Sequence, residues 1–131
     1  MIALDTNVLV RFLVEDDAVQ AAKATALLEQ AISDNTMLFI SDVVLCETVW
    51  VLTSRYGFSR VDVAAVLRRL LDADHLSFPA PSQHARALVA FSTGKGDFAD
   101  YVIREHGLAA GCTVVATFDQ ALLKETGYQS P

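Results

Sequence analysis

Four acidic residues stand where chemistry could use them: Asp5, Glu47, Asp100 and Asp119. Asp5 ends the apolar run Met1-Ile2-Ala3-Leu4 and precedes Thr6-Asn7. Glu47 is the only acidic or basic residue in V-V-L-C-E-T-V-W-V-L, which spans Val43 to Leu52. A helix this apolar is expected to bury most of its surface. An unpaired carboxylate inside it would carry a desolvation cost, which a cation or another charged group would offset. The bland alternative exposes Glu47 on a narrow polar stripe with Thr48. Asp97 and Asp100 come as D-F-A-D at the start of a helix, and Asp119 follows T-V-V-A-T-F. Asp97 has the position of an N-cap, and acids in a first turn suit the helix dipole. Asp5 and Asp119 have the same kind of local explanation, as an Asx turn and a cap.

The combination is harder to explain locally than any one member. Several isolated carboxylates brought together repel and raise some of their pKa values, unless a cation holds them. Ligation by oxygen alone suits Mg²⁺ or Mn²⁺ better than a structural zinc. His75, His84 and His106 are scattered along the chain, and surface or helix-end roles suit them. Cys46 and Cys112 are distant, each in an apolar stretch, and read as small buried residues; a metal or redox pair would need close spacing.

Positioning those acids requires strands that alternate with helices. Residues 2–4 read as a first strand, ended by Asp5-Thr6-Asn7, with a brief helix over 8–14. Asp16-Asp17 opens a helix through Ile32 whose apolar residues recur at spacings of three and four. Asp34-Asn35 makes a turn before a second strand at 37–40. Ser41 or Asp42 caps a helix over 43–55, and Gly57 follows. Ser59-Arg60-Val61-Asp62 resembles a capping box, with Asp in place of Glu, for a helix to residue 73. A third strand at 75–78 is ended by Pro79 and Pro81. A helix over 82–92 is broken by Thr93-Gly94-Lys95-Gly96, and Asp97 caps the next, over 98–106. A fourth strand at 113–117 precedes Asp119 and a short helix through Lys124, and residues 127–129 start a fifth, edge strand. This order predicts an α/β fold with a parallel sheet covered on both faces. Sites in such folds lie beyond the carboxyl ends of strands, where Asp5 and Asp119 fall.

A chain of 131 residues, 53% of them hydrophobic, fits a single domain burying roughly two-thirds of its unfolded surface. No repeat, low-complexity tract or linker is visible. Apolar runs are too short to cross a bilayer, and the opening residues lack the features of a secretory signal. The expectation is a soluble, cytoplasmic protein. The net charge of −6 and pI of about 4.8 argue against broad, nonspecific binding to nucleic acid, which depends on Lys and Arg at phosphates. A nuclease remains allowed, because clustered catalytic acids add negative charge that bound cations neutralise. Arg11, Arg55, Arg60, Arg68, Arg69 and Arg104 are available for local phosphate contacts.

The segments I-A-L-D-T-N-V-L-V (residues 2–10), S-D-V-V-L-C-E-T-V-W-V-L (41–52), D-F-A-D-Y-V-I (97–103) and T-V-V-A-T-F-D (113–119) resemble the PIN-domain family, especially the VapC-type ribonuclease toxins of prokaryotic toxin–antitoxin pairs. With the intervening helices, the resemblance covers nearly the whole chain. It implies a PIN-like α/β/α sandwich around a central parallel sheet of four to five strands, as one nuclease domain over residues 1–131. By motif, Asp5 resembles the first metal-ligating Asp, Glu47 the embedded acid, Asp100 the third acid and Asp119 the fourth. Thr6 and Asn7 resemble the polar pair that orients the first Asp, Thr117 a hydroxyl near the fourth, and Asp97 a supporting N-cap. The implied activity is hydrolysis of RNA with one or two Mg²⁺ or Mn²⁺ ions per site, and the implied partners are RNA, a cognate antitoxin and a second copy of the chain. Trp50, Phe58 and Phe91 could serve such interfaces, although core packing is the simpler expectation for each. Two rivals stand beside this reading. A haloacid-dehalogenase-like phosphatase needs a second Asp where this chain has Asn7. A non-catalytic PIN-like module would bind RNA or protein without cutting.

Overall fold

The structure, a computed structural model, describes residues 1–131. The chain forms two compact units, Met1–Pro79 and Ala80–Pro131.

In the first unit, β1 (Ile2–Ala3), β2 (Leu38–Phe39) and β3 (Leu76–Ser77) pair in parallel in the order β1-β2-β3. Ile2 lies opposite Leu38, and Leu38 opposite Leu76. Parallel neighbours need crossovers. These are α1 (Thr6–Leu13) with α2 (Ala18–Ser33) between β1 and β2, and α3 (Asp42–Ser54) with α4 (Arg60–Asp72) between β2 and β3.

Each helix starts at a side chain suited to the task. Asp17 Oδ1 accepts from the Gln20 amide at 3.0 Å, and Ser41 Oγ from Val44 at 3.3 Å. The expected capping box forms at α4: Ser59 Oγ accepts from the Asp62 amide at 3.1 Å, and Asp62 Oδ2 from the Ser59 amide at 3.3 Å. Removing such a cap costs about 1 kcal/mol. Gly57 after α3 has φ +68, a left-handed turn that glycine enters without a Cβ clash. Leu38, Ile40, Leu45, Leu52, Val63 and Leu67 are fully buried and form the core of this unit. An apolar hollow of about 330 Å³, lined by Val8, Phe12, Leu27, Leu28 and Leu70 among others, lies between α1, α2 and α4.

The second unit packs α5 (Pro81–Thr93) against α6 (Phe98–Ala109). Pro81 is the first helical residue of α5, where its missing N–H is harmless. The rings of Phe91 and Phe98 meet edge to face, 6.1 Å between centroids, a geometry the aromatic quadrupole favours. Glu105 is buried, and Arg86 pairs with it as an ion pair, Nε to Oε1 at 3.4 Å. Beyond α6, β4 (Val115–Ala116) pairs in parallel with β5 (Tyr128–Gln129) across a 3-10 turn at Leu122–Lys124.

All five expected strands are present and every pair is parallel, so the α/β class holds. The ladders are shorter than predicted, two residues per strand, and they divide into a three-stranded and a two-stranded set where one central sheet was expected. No helix is long and apolar enough to cross a membrane.

Several packing expectations fail. Trp50 is 69% exposed, while Phe91 is buried as expected. Cys112 is exposed and Cys46 only partly covered. His84 is buried, its Nδ1 donating to the Ala80 carbonyl at 3.2 Å. Its ring lies edge-on to that of His106, 5.7 Å between centroids, so these two histidines are not scattered. The helical pairing of α5 with α6 brings them together from distant sequence.

Candidate metal centre

The candidate acids fall into two sets, one in each unit. In the first, Asp5 is the N-cap of α1, where its Oδ1 accepts from the Val8 amide at 3.0 Å. Its Asx role and its candidacy as a ligand are compatible, since a carboxylate has further lone pairs. Asp5 and Asn7 line a cleft of about 350 Å³ together with Arg11, Gln20 and Lys23. Arg11 is already engaged, donating to Gln20 Oε1 at 2.7 Å and to Asp16 Oδ1 at 3.2 Å. Thr6, the first residue of α1, is half-buried.

Glu47 departs from expectation. It is exposed on α3, while Thr48 beside it is buried. The buried face of α3 carries Leu45, Thr48, Val49 and Leu52, leaving Glu47 on the opposite side with Val43 and Trp50. Burial cost therefore supplies no argument for a cation there. Thr48 can be buried there because its Oγ1 donates to the Val44 carbonyl at 2.7 Å, which offsets the penalty for its hydroxyl.

In the second unit Asp100 and Asp119 each hold nearby backbone amides. Asp100 sits at the third position of α6, and its Oδ2 accepts from the Asp97 amide at 2.8 Å, closing the start of the helix. Asp119 binds the chain that follows it: its Oδ1 accepts from Ala121 at 2.8 Å and Leu122 at 3.2 Å. Thr117 Oγ1 accepts from the Asp119 amide at 3.1 Å. Burial pushes the Asp100 carboxyl above its ordinary range. The charges of Asp97, Asp119 and Glu125 push it the same way, against the opposing bond from the Asp97 amide.

Glu125 was not foreseen. Tyr101 Oη donates to its carboxylate (2.9 Å to Oε1) and accepts from the Gly96 amide at 2.9 Å. The Lys95 amide reaches Glu125 Oε2 at 3.3 Å, so one Tyr–Glu pair gathers the Thr93–Gly96 loop. Gly94 is required there for space: a Cβ would come within 1.9 Å of Tyr101 Oη. Nothing in the sequence near Glu125 marks it, because its partners lie 24 and 30 residues away.

The structure thus binds Asp97 to Asp100 and places Asp119 and Glu125 where their charges act on Asp100. It places Asp5 and Glu47 on two helices, α1 and α3, that pack together in the other unit. The side chains offer oxygen alone, the donor type that a hard divalent cation takes.

A search of curated proteins returns no match. The sequence profile of the PIN domain, by contrast, matches residues 2–127 of the 131 and runs through both units. With all four acidic motifs inside that match, the chain belongs to the PIN-domain family.

Proposed function

We propose that the chain is a divalent-metal-dependent endoribonuclease, the toxin component of a type II toxin–antitoxin system, acting in the cytoplasm as one PIN-like nuclease domain. PIN domains are in general metal-dependent nucleases that act on RNA, and this membership supports the class. The observation that carries the reading is the PIN match over residues 2–127, which contains Asp5, Glu47, Asp100 and Asp119.

In this reading Asp5 and Asp100 are the principal ligands of one or two Mg²⁺ or Mn²⁺ ions, and Glu47 and Asp119 complete the set. When bound, the metal would position a scissile phosphate and favour ionisation of water. The chain's own residues prepare that chemistry. The Asp97 amide orients Asp100, and the Thr117 hydroxyl holds the backbone of Asp119. Thr6 and Asn7 shape the turn that presents Asp5. Lys23, in the cleft beside Asp5, offers its ammonium to a neighbouring phosphate. Hydrolysis by water leaves a 5′-phosphate and a 3′-hydroxyl. An antitoxin that blocks the acids and a second copy of the chain are the partners this function calls for.

The test incubates purified protein with RNA and Mn²⁺, beside Asp5→Asn. Cleavage by the wild type and none by the variant is expected. RNA that is bound by both and cut by neither would replace the enzyme with the non-catalytic binding module.

A further inference from the structure

We propose that His84 and His106 form a binding site for Zn²⁺, a staple between α5 and α6 that differs in chemistry from the acidic set. His84, on α5, is 1% exposed, and His106, in the last turn of α6, is half-buried. One ligand nitrogen of each ring lies within 4.8 Å of the other. Both residues belong to the second unit, in which α5 packs on α6.

Hydrogen bonds choose the tautomer of each ring. His84 Nδ1 meets the Ala80 carbonyl at 3.2 Å, and His106 Nδ1 meets Gln83 Oε1. Both partners are oxygens that only accept. Each Nδ1 therefore carries the hydrogen, and each neutral ring keeps its lone pair on Nε2. Metal-bound imidazoles are held in this way, with the far N–H donating to a carbonyl oxygen. That bond fixes the ring and raises the basicity of the ligating nitrogen. Ring packing alone accounts for the edge-on contact of the two histidines. It does not require the tether to fall on the same nitrogen in both.

A Zn–N bond of about 2.0–2.1 Å sets two nitrogens of a tetrahedral ion about 3.4 Å apart. From a separation of at most 4.8 Å, the ligand nitrogens close by no more than about 1.4 Å. Water fills the positions that the two imidazoles leave. The choice of ion follows from the donors, since imidazole suits zinc whereas carboxylates suit Mg²⁺ or Mn²⁺. His106 stands six residues beyond Asp100 on α6, about 9 Å along the helix axis, so one ion does not serve both. The staple is independent of the ribonuclease reading.

Untagged, metal-free protein in excess Mg²⁺ is titrated with Zn²⁺ against a chromophoric chelator, while the histidine ring nitrogen resonances are followed. One equivalent bound is expected, with shifts at Nε2 of His84 and His106 and none at His75. Saturating zinc should raise the melting temperature by about 5 °C. His106→Gln and Gln83→Ala should each weaken zinc about ten-fold or more, the second by freeing the His106 ring. Asp100→Asn should leave zinc binding as it is. His84→Gln removes the other ligand; should that variant not fold, His106→Gln carries the test. Zinc held equally by His106→Gln, lost in Asp100→Asn, or shifting His75 alone lies elsewhere and overturns the staple. No binding, with the ring signals unmoved, also overturns it and leaves two tethered rings in edge-on contact. RNA cleavage in Mn²⁺ decides the ribonuclease reading separately, whichever result zinc gives.

Discussion

Asp5 and Asp100 each close the first turn of a helix, yet the two units treat them differently. Asp5 is the cap itself, exposed, and shares its cleft with Arg11 and Lys23. Asp100 lies one turn inside the helix, half-buried, reaching back to the cap amide amid Asp97, Asp119 and Glu125. One carboxylate is presented to solvent beside cations. The other is half-buried, its charge disfavoured first by that burial and then by neighbouring acids. A divalent ion therefore relieves more repulsion at Asp100 than at Asp5, although both are assigned the same duty.

The comparison breaks or sharpens on substitution. Asp100→Asn should lower RNA cleavage about a thousand-fold, and Asp5→Asn by a similar factor, as end-labelled RNA assays will read. Their stabilities should diverge. Asn is as good a cap as Asp, so Asp5→Asn leaves the melting temperature unchanged. Asp100→Asn keeps an oxygen for the Asp97 amide but removes a disfavoured charge, so metal-free protein should melt about 1–3 °C higher. A fall in melting temperature for Asp100→Asn would erase the distinction between the units.

Thiol labelling separates two environments next. Burial, aided by the Asp42 charge, pushes the Cys46 thiol up to about 11, whereas Cys112 is exposed. At neutral pH a thiol reagent should modify Cys112 at least about a hundred-fold faster than Cys46, as peptide mapping will show. Equal rates would mean that α3 opens readily.

Hydroxyl deletion comes third. Tyr101→Phe strips a buried oxygen that serves Gly96 and Glu125, and should cost about 1–3 kcal/mol in urea unfolding. Thr48→Val, in the other unit, removes only a bond to its own helix turn and should cost less than about 1 kcal/mol.

The smallest effect is the pH dependence. The folded pKa of Asp100 lies above its ordinary value of 3.8, so between those two values the native state holds more protons than the unfolded chain. Metal-free wild type should lose stability as pH rises through that window, and the slope should be shallower in Asp100→Asn or with Mg²⁺ present. Melts at closely spaced pH values will read it.

Local chemistry was legible in the sequence. The helix start at Asp16-Asp17, the cap at Ser41 or Asp42, the box at Ser59, turns at Asp34-Asn35 and Gly57, and β-branched runs all act over a few residues, and the elements fall where they point; the structure settles the caps on Asp17 and Ser41. The face of α3 was not legible. Its composition is apolar nearly all round, so periodicity selects no side; tertiary packing on Leu45, Val49 and Leu52 makes the choice, and the bond from the Thr48 hydroxyl to its own helix lets that residue be buried with them. That choice turned Glu47 and Trp50 outward together. Glu125 was missed for a different reason: its value comes from Tyr101 and the Lys95 amide, which only the folded loop supplies. The acids themselves were named from motif, and the fold adds the burial that disfavours the Asp100 charge.

The bond from the Asp97 amide to Asp100 Oδ2 has one more consequence. A side chain tethered to its own backbone surrendered its rotational freedom when the helix formed. Whatever seizes the remaining oxygen meets a preorganised group and is spared the immobilisation penalty of about 0.5–1.5 kcal/mol that a freely turning side chain would impose. Folding alone has already set the direction from which a guest must arrive.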